Sequence, residues 1–394
     1  MNNRQMIFSA LGFFTLAFSD FTISANAHGL PMGPNPSAET RLIETAPGTA
    51  SWMKAEEIEK ISASRHLSGH CGGYMDITDF QDFQTMRSRS SGPVLDLFAD
   101  RAPWRHTLIE PLLEELSPAE LQQSVRHLSS YFDRFYQSET GVQAARWIHD
   151  QFSKLSAHRA DIKVELFGHN FKQPSVIATI EGTHPTLKNE YVILGGHLDS
   201  INQYSWGNQA KAPGADDNAS GTATVMEIFR VLVQSGYRPE RTLQFMGYAG
   251  EEKGLLGSQD IARKYRQEGK KVAAVMQFDM TLYAGKTGKL TFITDYVDPS
   301  LTRFSQKLMD TYVKTPWTTD TCGYACSDHA SWNKAGYASA FPFEAPSNEM
   351  NPKIHTTGDT LLNSLDTEFG LLFAKLGLAF AVESSAERGN SVHF

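Results

Sequence analysis

Seven side chains of this sequence are suited to chemistry: His197, Asp199, Asp217, Glu251, Glu252, Asp279 and His355. They fall in GGHLDS, GADDNASG, GYAGEEKGLLGS, QFDM and IHTTGDT, at the ends of apolar runs or in glycine-containing loops. Imidazole nitrogen and carboxylate oxygen are ligands that zinc accepts, and a catalytic zinc keeps one position open for water. A pair of ions needs one carboxylate that bridges and separate ligands for each ion. His197 and His355 can give one nitrogen per ion. Asp217, in a loop that opens a helix, is the best-placed bridge, and Glu252 and Asp279 would complete one ion each. Asp199 lies two residues beyond His197, so on an extended segment it points the same way. It can accept the other ring N–H of His197 and fix its tautomer. Glu251 and Glu252 are adjacent and diverge at a strand end, so one can bind metal while the other takes a proton from water. Singly, each motif has a plain structural use as a cap or a turn. Their joint occurrence points to a metal site.

The elements that must position these residues alternate. IKVELF (162–167) and SVIATIEG (175–182) read as strands, and the unbroken apolar run YVILGG (191–196) reads as a strand buried on both faces. A helix over 221–234 follows, then a strand over 242–250, a helix over 255–267 and a strand over 272–280. KLTFITD (289–295) and ASAFPFE (338–344) are further strands, with a helix from Pro299 between them and a closing helix over 365–383. Ser117-Pro118 caps an earlier helix, and another runs over 141–156. This order predicts an α/β three-layer sandwich around a mainly parallel mixed sheet, with a small N-terminal extension. Ligands of such sheets bind beyond the carboxyl ends of the strands, where His197, Glu251 and Asp279 fall.

Composition narrows the rest. The chain has 394 residues, 41% hydrophobic and 20% charged, with net charge −8. There is no basic block of the kind nucleic acid requires, and no apolar span long enough to cross a membrane. Arg4, the apolar run from Ile7 to Phe18 and Ala25-Asn26-Ala27 have the order of an export signal, which puts residues 1–27 in a signal peptide and the protein outside the cytoplasm, periplasmic or extracellular. Residues 28–105 read as a pro-segment or extension: a Pro-, Gly-, Ser- and Thr-rich arm to about residue 50, then a short helix over 52–61. Residues 106–394 read as the catalytic domain. Export permits disulfides, and Cys322 and Cys326 can close a small loop that stiffens a turn. Cys71 is left over.

HLDS, GADDNASG, GYAGEEKGLLGS, QFDM, CGYACSDHASW and NPKIHTTGDT together resemble, in order, the motifs of the secreted bacterial leucyl aminopeptidases, two-zinc exopeptidases, over about residues 106–388. The resemblance implies His197 and Asp279 on one zinc, Glu252 and His355 on the other, Asp217 between them, Glu251 as general base and a cis peptide after Asp217. It also implies an apolar pocket of Met280, Ile293, Cys322, Tyr324, Cys326, Phe341, Phe343 and Ile354, suited to a leucine-like or aromatic first side chain. Ser347 and Met350 stand where the family often has aromatics. The expected substrates are peptides with a free N-terminus, and the expected state is a monomer. A single-zinc glutaminyl cyclase on the same fold is the main rival and would need only part of this ligand set. A binding ectodomain that has lost its ligands and a carboxypeptidase are the others.

Overall fold

In the computed structural model the described residues are 40–67, 73–78, 97–205, 210–362 and 365–387. The expected signal peptide, the start of the arm and Cys71 lie outside them. β1 (Thr40–Ala46) and β2 (Thr49–Lys54) form an antiparallel hairpin around Pro47-Gly48, and β3 (Met75–Asp76) pairs with the other side of β1. Here the sequence reading is corrected: the arm ends in a strand pair, and Trp52 to Lys54 are strand rather than helix. Gly48 adopts φ +72, which the turn requires and Gly supplies without strain. The helix, α1 (Ala55–Leu67), starts later. Glu57 fixes its start by accepting the Lys54 backbone N–H at 2.8 Å, one half of a capping box.

Helices α2 (His106–Glu114), α3 (Pro118–Leu128) and α4 (Glu139–Leu155) follow. Ser117 caps α3 by accepting the Glu120 N–H, and Ser138 caps α4 by accepting the Gly141 N–H. The sheet and its remaining helices are β4 (Ile162–Phe167), β5 (Ser175–Ile180), β6 (Glu190–His197), α5 (Ala219–Gln234), β7 (Thr242–Tyr248), α6 (Leu256–Gln267), β8 (Lys271–Gln277), β9 (Leu290–Ile293), α7 (Pro299–Leu308), β10 (Trp317–Asp320), α8 (His329–Lys334), β11 (Ser339–Phe343) and α9 (Thr367–Ser384). The strand order is β10-β9-β11-β8-β6-β7-β5-β4. β11, β8, β6 and β7 run parallel in the centre. β5 and β4 add antiparallel on one side, and β9 adds antiparallel on the other, with β10 parallel to it.

Strand β6 shows why the central strands read as unbroken apolar runs. Its side chains alternate between faces. Val192 and Leu194 join the cluster beneath α3, α4, α5 and α9, whereas Ile193 joins the opposite cluster with Ile261, Tyr265 and Trp332. Both faces are covered, so neither position can be polar. The short edge strand β10 (WTTD) carries too little pattern to be read from sequence. Among the described residues no helix is long and apolar enough to cross a membrane.

Candidate metal centre and substrate pocket

The parallel strands deliver their chemistry at their carboxyl ends. β6 ends on His197. β7 runs into Gly250, at φ +67, which turns the chain into the 3-10 turn of Glu251 to Lys253. Beyond β8, Asp279 precedes Met280, itself at φ +66. Asp217 sits before the start of α5, where the Asp217-Asn218 peptide is cis. His355, at φ +55, comes from the loop between β11 and α9. Non-glycine residues with positive φ are uncommon and cluster at functional sites.

These ligands form two groups joined at one carboxylate. His197 Nε2 lies 3.1 Å from Asp217 Oδ1 and 3.2 Å from Asp279 Oδ1. His355 Nε2 lies 2.8 Å from Asp217 Oδ2 and 3.3 Å from Glu252 Oε2. Within each triad the candidate ligand atoms lie within 4.8 Å of one another. Glu251 is fully buried beside them, and neither carboxylate oxygen has a hydrogen-bond partner among the described residues. Four buried carboxylates against two imidazoles leave an excess of negative charge in a water-poor site. Buried charge of that kind is held by paired charge or by metal, so the donor set fits a pair of divalent cations.

Electrostatics runs the same way. Burial alone would lower the His197 and His355 imidazoles. Asp279 and Glu251 nevertheless raise His197 well above its usual value, and Glu252 with Asp217 raises His355 to about 10. Burial works to raise the Asp217 carboxyl, but His355 and His197 outweigh it and hold the group below the usual range. Burial pushes Glu251 well above the carboxylate range, with His197 opposing and Glu252 and Asp279 reinforcing.

Behind the ligands stand residues that hold them. Asp199 accepts the backbone N–H groups of Glu251 at 3.0 Å and Glu252 at 3.2 Å, while its Oδ1 lies 3.4 Å from His197 Nδ1. Asp359 does the matching work on the other side, accepting the N–H groups of Asp216 and Asp217 at 3.0 Å each. Asn218 ties the loops together: its amide donates to the Phe278 carbonyl and its oxygen accepts the Gly221 and Met280 N–H groups. Asp216 accepts from Leu282 N–H and from the Asn351 amide, and Glu344 accepts the Asn351 N–H. Ser327 hydrogen-bonds Asp279. Arg134 is fully buried, and its guanidinium donates to the carbonyl of Leu128 at the end of α3 and to those of Leu198, Pro213 and Gly214, on the segments that carry Asp199 and Asp217. The sequence reading missed Asp359, Asp216, Asn218 and Ser327 as site residues, although each lies inside a motif it quoted. Arg134 and Glu344 carry no local signal.

Beside the candidate ligands lies an apolar cluster. It contains Met280, Ile293, Tyr324, Cys326, Phe341, Phe343 and Ile354, with Cys322, Val297 and Met350 packed against it. Cys322 and Cys326 are joined by a disulfide. Asp295 steadies that loop by accepting the N–H groups of Cys322 and Gly323. All eight expected pocket residues therefore meet. Of the two departures, Met350 joins the cluster, while Ser347 is exposed and donates its hydroxyl and backbone N–H to Asp320.

The model of "Peptidase family M28" matches residues 175–375, half of the chain. The chain belongs to peptidase family M28. A protein of Arthroderma benhamiae named "Probable leucine aminopeptidase" is 38% identical over 92% of this chain and 96% of its own length. The crystal structure of LapB from Legionella pneumophila has a TM-score of 0.75 at 30% identity, over 89% of this chain and 100% of LapB. A glutaminyl cyclase of Bacteroides thetaiotaomicron shares the fold, with a TM-score of 0.54 at 17% identity, over 69% of this chain and 99% of its own. The resemblance to leucyl aminopeptidases carried by the motifs and the α/β fold expected from the alternating elements are both borne out.

Proposed function

We propose that this chain is an exported metallo-aminopeptidase that removes a leucine-like or other hydrophobic residue from the N-terminus of peptides with the help of two zinc ions. Its family and its relatives' names carry the aminopeptidase assignment; the single observation that supports the two-ion reading is Asp217, which turns one oxygen to each imidazole. His197 and Asp279 would hold one ion and Glu252 and His355 the other, with Asp217 between them. Zinc in such a site polarises a carbonyl and makes water acidic enough to attack at neutral pH. Glu251 is the general base: the positive charge of two bound ions would offset the effect of burial and keep it ionised, and its carboxylate makes no competing hydrogen bond among the described residues, so it can take a proton from the attacking water and return it to the leaving amine nitrogen. Asp199 sets the position of that base by clamping its backbone, and fixes the His197 ring. The apolar cluster receives the first side chain. Without a ring at Ser347, and with a flexible Met350 on its wall, it accommodates Leu, Met and Phe alike.

Glu251→Ala tests the assignment. We expect turnover of Leu-amide to fall by about a thousand-fold or more, with zinc content unchanged. Retained turnover would remove Glu251 from the mechanism. Rates on Leu-, Met-, Phe- and Lys-amides would rank the pocket, with Lys expected last. Cyclisation of an N-terminal glutamine in preference to amide hydrolysis would favour the glutaminyl cyclase reading.

A further inference from the structure

The described residues 40–67 and 73–78 are built into the enzyme rather than laid upon it. β1 alternates like any strand: Leu42 faces a catalytic cluster that holds Tyr248, Leu255 and Trp332, joined there by Met75 and Ile77, while Ile43 turns the other way and makes a small core with Ile58 and Tyr74. Removing these residues would strip several buried apolar contacts from the catalytic core. Glu44, itself buried, pairs with Lys334 and accepts the Tyr296 hydroxyl. The LapB match points the same way. Residues 106–394 are under three-quarters of the chain, whereas LapB spans 89%, so that crystallised enzyme carries part of this segment too.

Helix α1 touches the site at both ends. Near its start, Glu59 pairs with Lys253, the residue that follows Glu252. Tyr74 donates its hydroxyl to the Lys253 carbonyl at 2.9 Å and lies so close to Gly254 that a Cβ there would fall 2.5 Å from the ring. Near its end, the Arg65 guanidinium stacks 4.5 Å over Tyr324, a wall of the apolar pocket, and donates to the Thr45 carbonyl. Beside the first of these anchors an open cleft of about 620 Å³ is lined by Glu59, Lys60 and Ala63 of α1 and by Phe135, Tyr136 and Lys253 of the catalytic domain.

We infer that this cleft is the subsite for the residues that follow the scissile bond, and that α1 is its permanent wall. The inference rests on the aminopeptidase reading. A first side chain seated under Tyr324 leaves the rest of the peptide to run past Glu251 and over Lys253, between α1 and the rings of Phe135 and Tyr136. The rings favour an apolar second residue. Helix α1, held in place at Glu59 and Arg65, admits a thin, unfolded chain along the cleft and turns away the N-terminus of a folded protein. The substrate class is therefore short peptides with an apolar second residue.

The test uses the full chain and three substrates: Leu-amide, the tetrapeptide Leu-Phe-Gly-Gly and a folded protein with N-terminal Leu. Ala63→Trp fills the cleft, and the ratio of kcat/KM for the tetrapeptide to that for Leu-amide should fall about ten-fold. Arg65→Ala loosens α1, and the ratio for the folded protein over Leu-amide should rise about ten-fold. Mass spectrometry of the purified active enzyme should find residues 40–78 still present. Three results would overturn the proposal: both ratios staying constant, all substrates gaining equally in Arg65→Ala (a blocking segment instead), or an active enzyme that begins after residue 78. Failure of the wild type to cleave Leu-amide would instead strike at the aminopeptidase reading.

Discussion

Asp199 and Asp359 do one job in two places. Each is a buried carboxylate that accepts two consecutive backbone N–H groups, Asp199 from Glu251 and Glu252, Asp359 from Asp216 and Asp217. The difference lies in what else each touches. Asp199 also lies 3.4 Å from the His197 ring, so it touches three residues of the proposed centre: Glu251, Glu252 and His197. Asp359 holds the segment of Asp217 and follows His355 by four residues, so one short loop places one candidate ligand and anchors another. A ligand set of this kind is only as accurate as the groups that fix its backbone.

Replacing the two carboxylates separates their roles. Asp199→Ala should lower kcat/KM by about a hundred-fold or more, since base and His197 are both released. Asp359→Ala should cost about ten-fold and act mainly through weaker metal binding. Titration with a zinc chelator alongside steady-state kinetics checks both. Equal losses in the two variants would erase the distinction.

Arg134 sharpens the comparison, because it binds the segments of Asp199 and Asp217 to one another through main-chain carbonyls. Arg134→Met keeps the bulk but leaves buried carbonyls unpaired. The expected loss of stability is about 3 kcal/mol, read by urea unfolding of the loaded protein. His329 gives the smallest effect. Burial pushes its imidazole from the usual 6.5 down to about 3. Between those values the unfolded chain takes up a proton that the folded chain refuses, so stability falls as pH drops through this window. In His329→Phe that fraction of the pH slope should vanish, measured as midpoint shifts between pH 4 and pH 7.

How much of this was legible follows from which signals are local. β6, β7 and β8 are continuous apolar runs, so both their existence and the ligands at their ends could be read directly. The two histidines and their acids stood out because each lies within a dense, ordered motif. Asp359 lay in IHTTGDT but reads there as an ordinary turn acid; only the fold shows that it accepts the Asp216 and Asp217 amides. Arg134 is one arginine within the aromatic stretch Tyr131 to Tyr136, and nothing local says that it will be buried. The hairpin of β1 and β2 was hidden for another reason. Trp52 and Met53 precede a charged helical run, so periodicity drew them into α1, while the Pro47-Gly48 turn that makes them a strand looked like part of a loose arm. The pocket was legible only through resemblance, because its residues come from distant loops without shared spacing.

The central claim is that Asp217 joins two metal sites. It is tested most directly by counting zinc in purified wild-type protein and in His355→Ala, side by side. About two ions per chain are expected in the wild type and about one in the variant, whose His197, Asp217 and Asp279 group stays intact. A wild-type protein that saturates with a single zinc at full activity would contradict that claim.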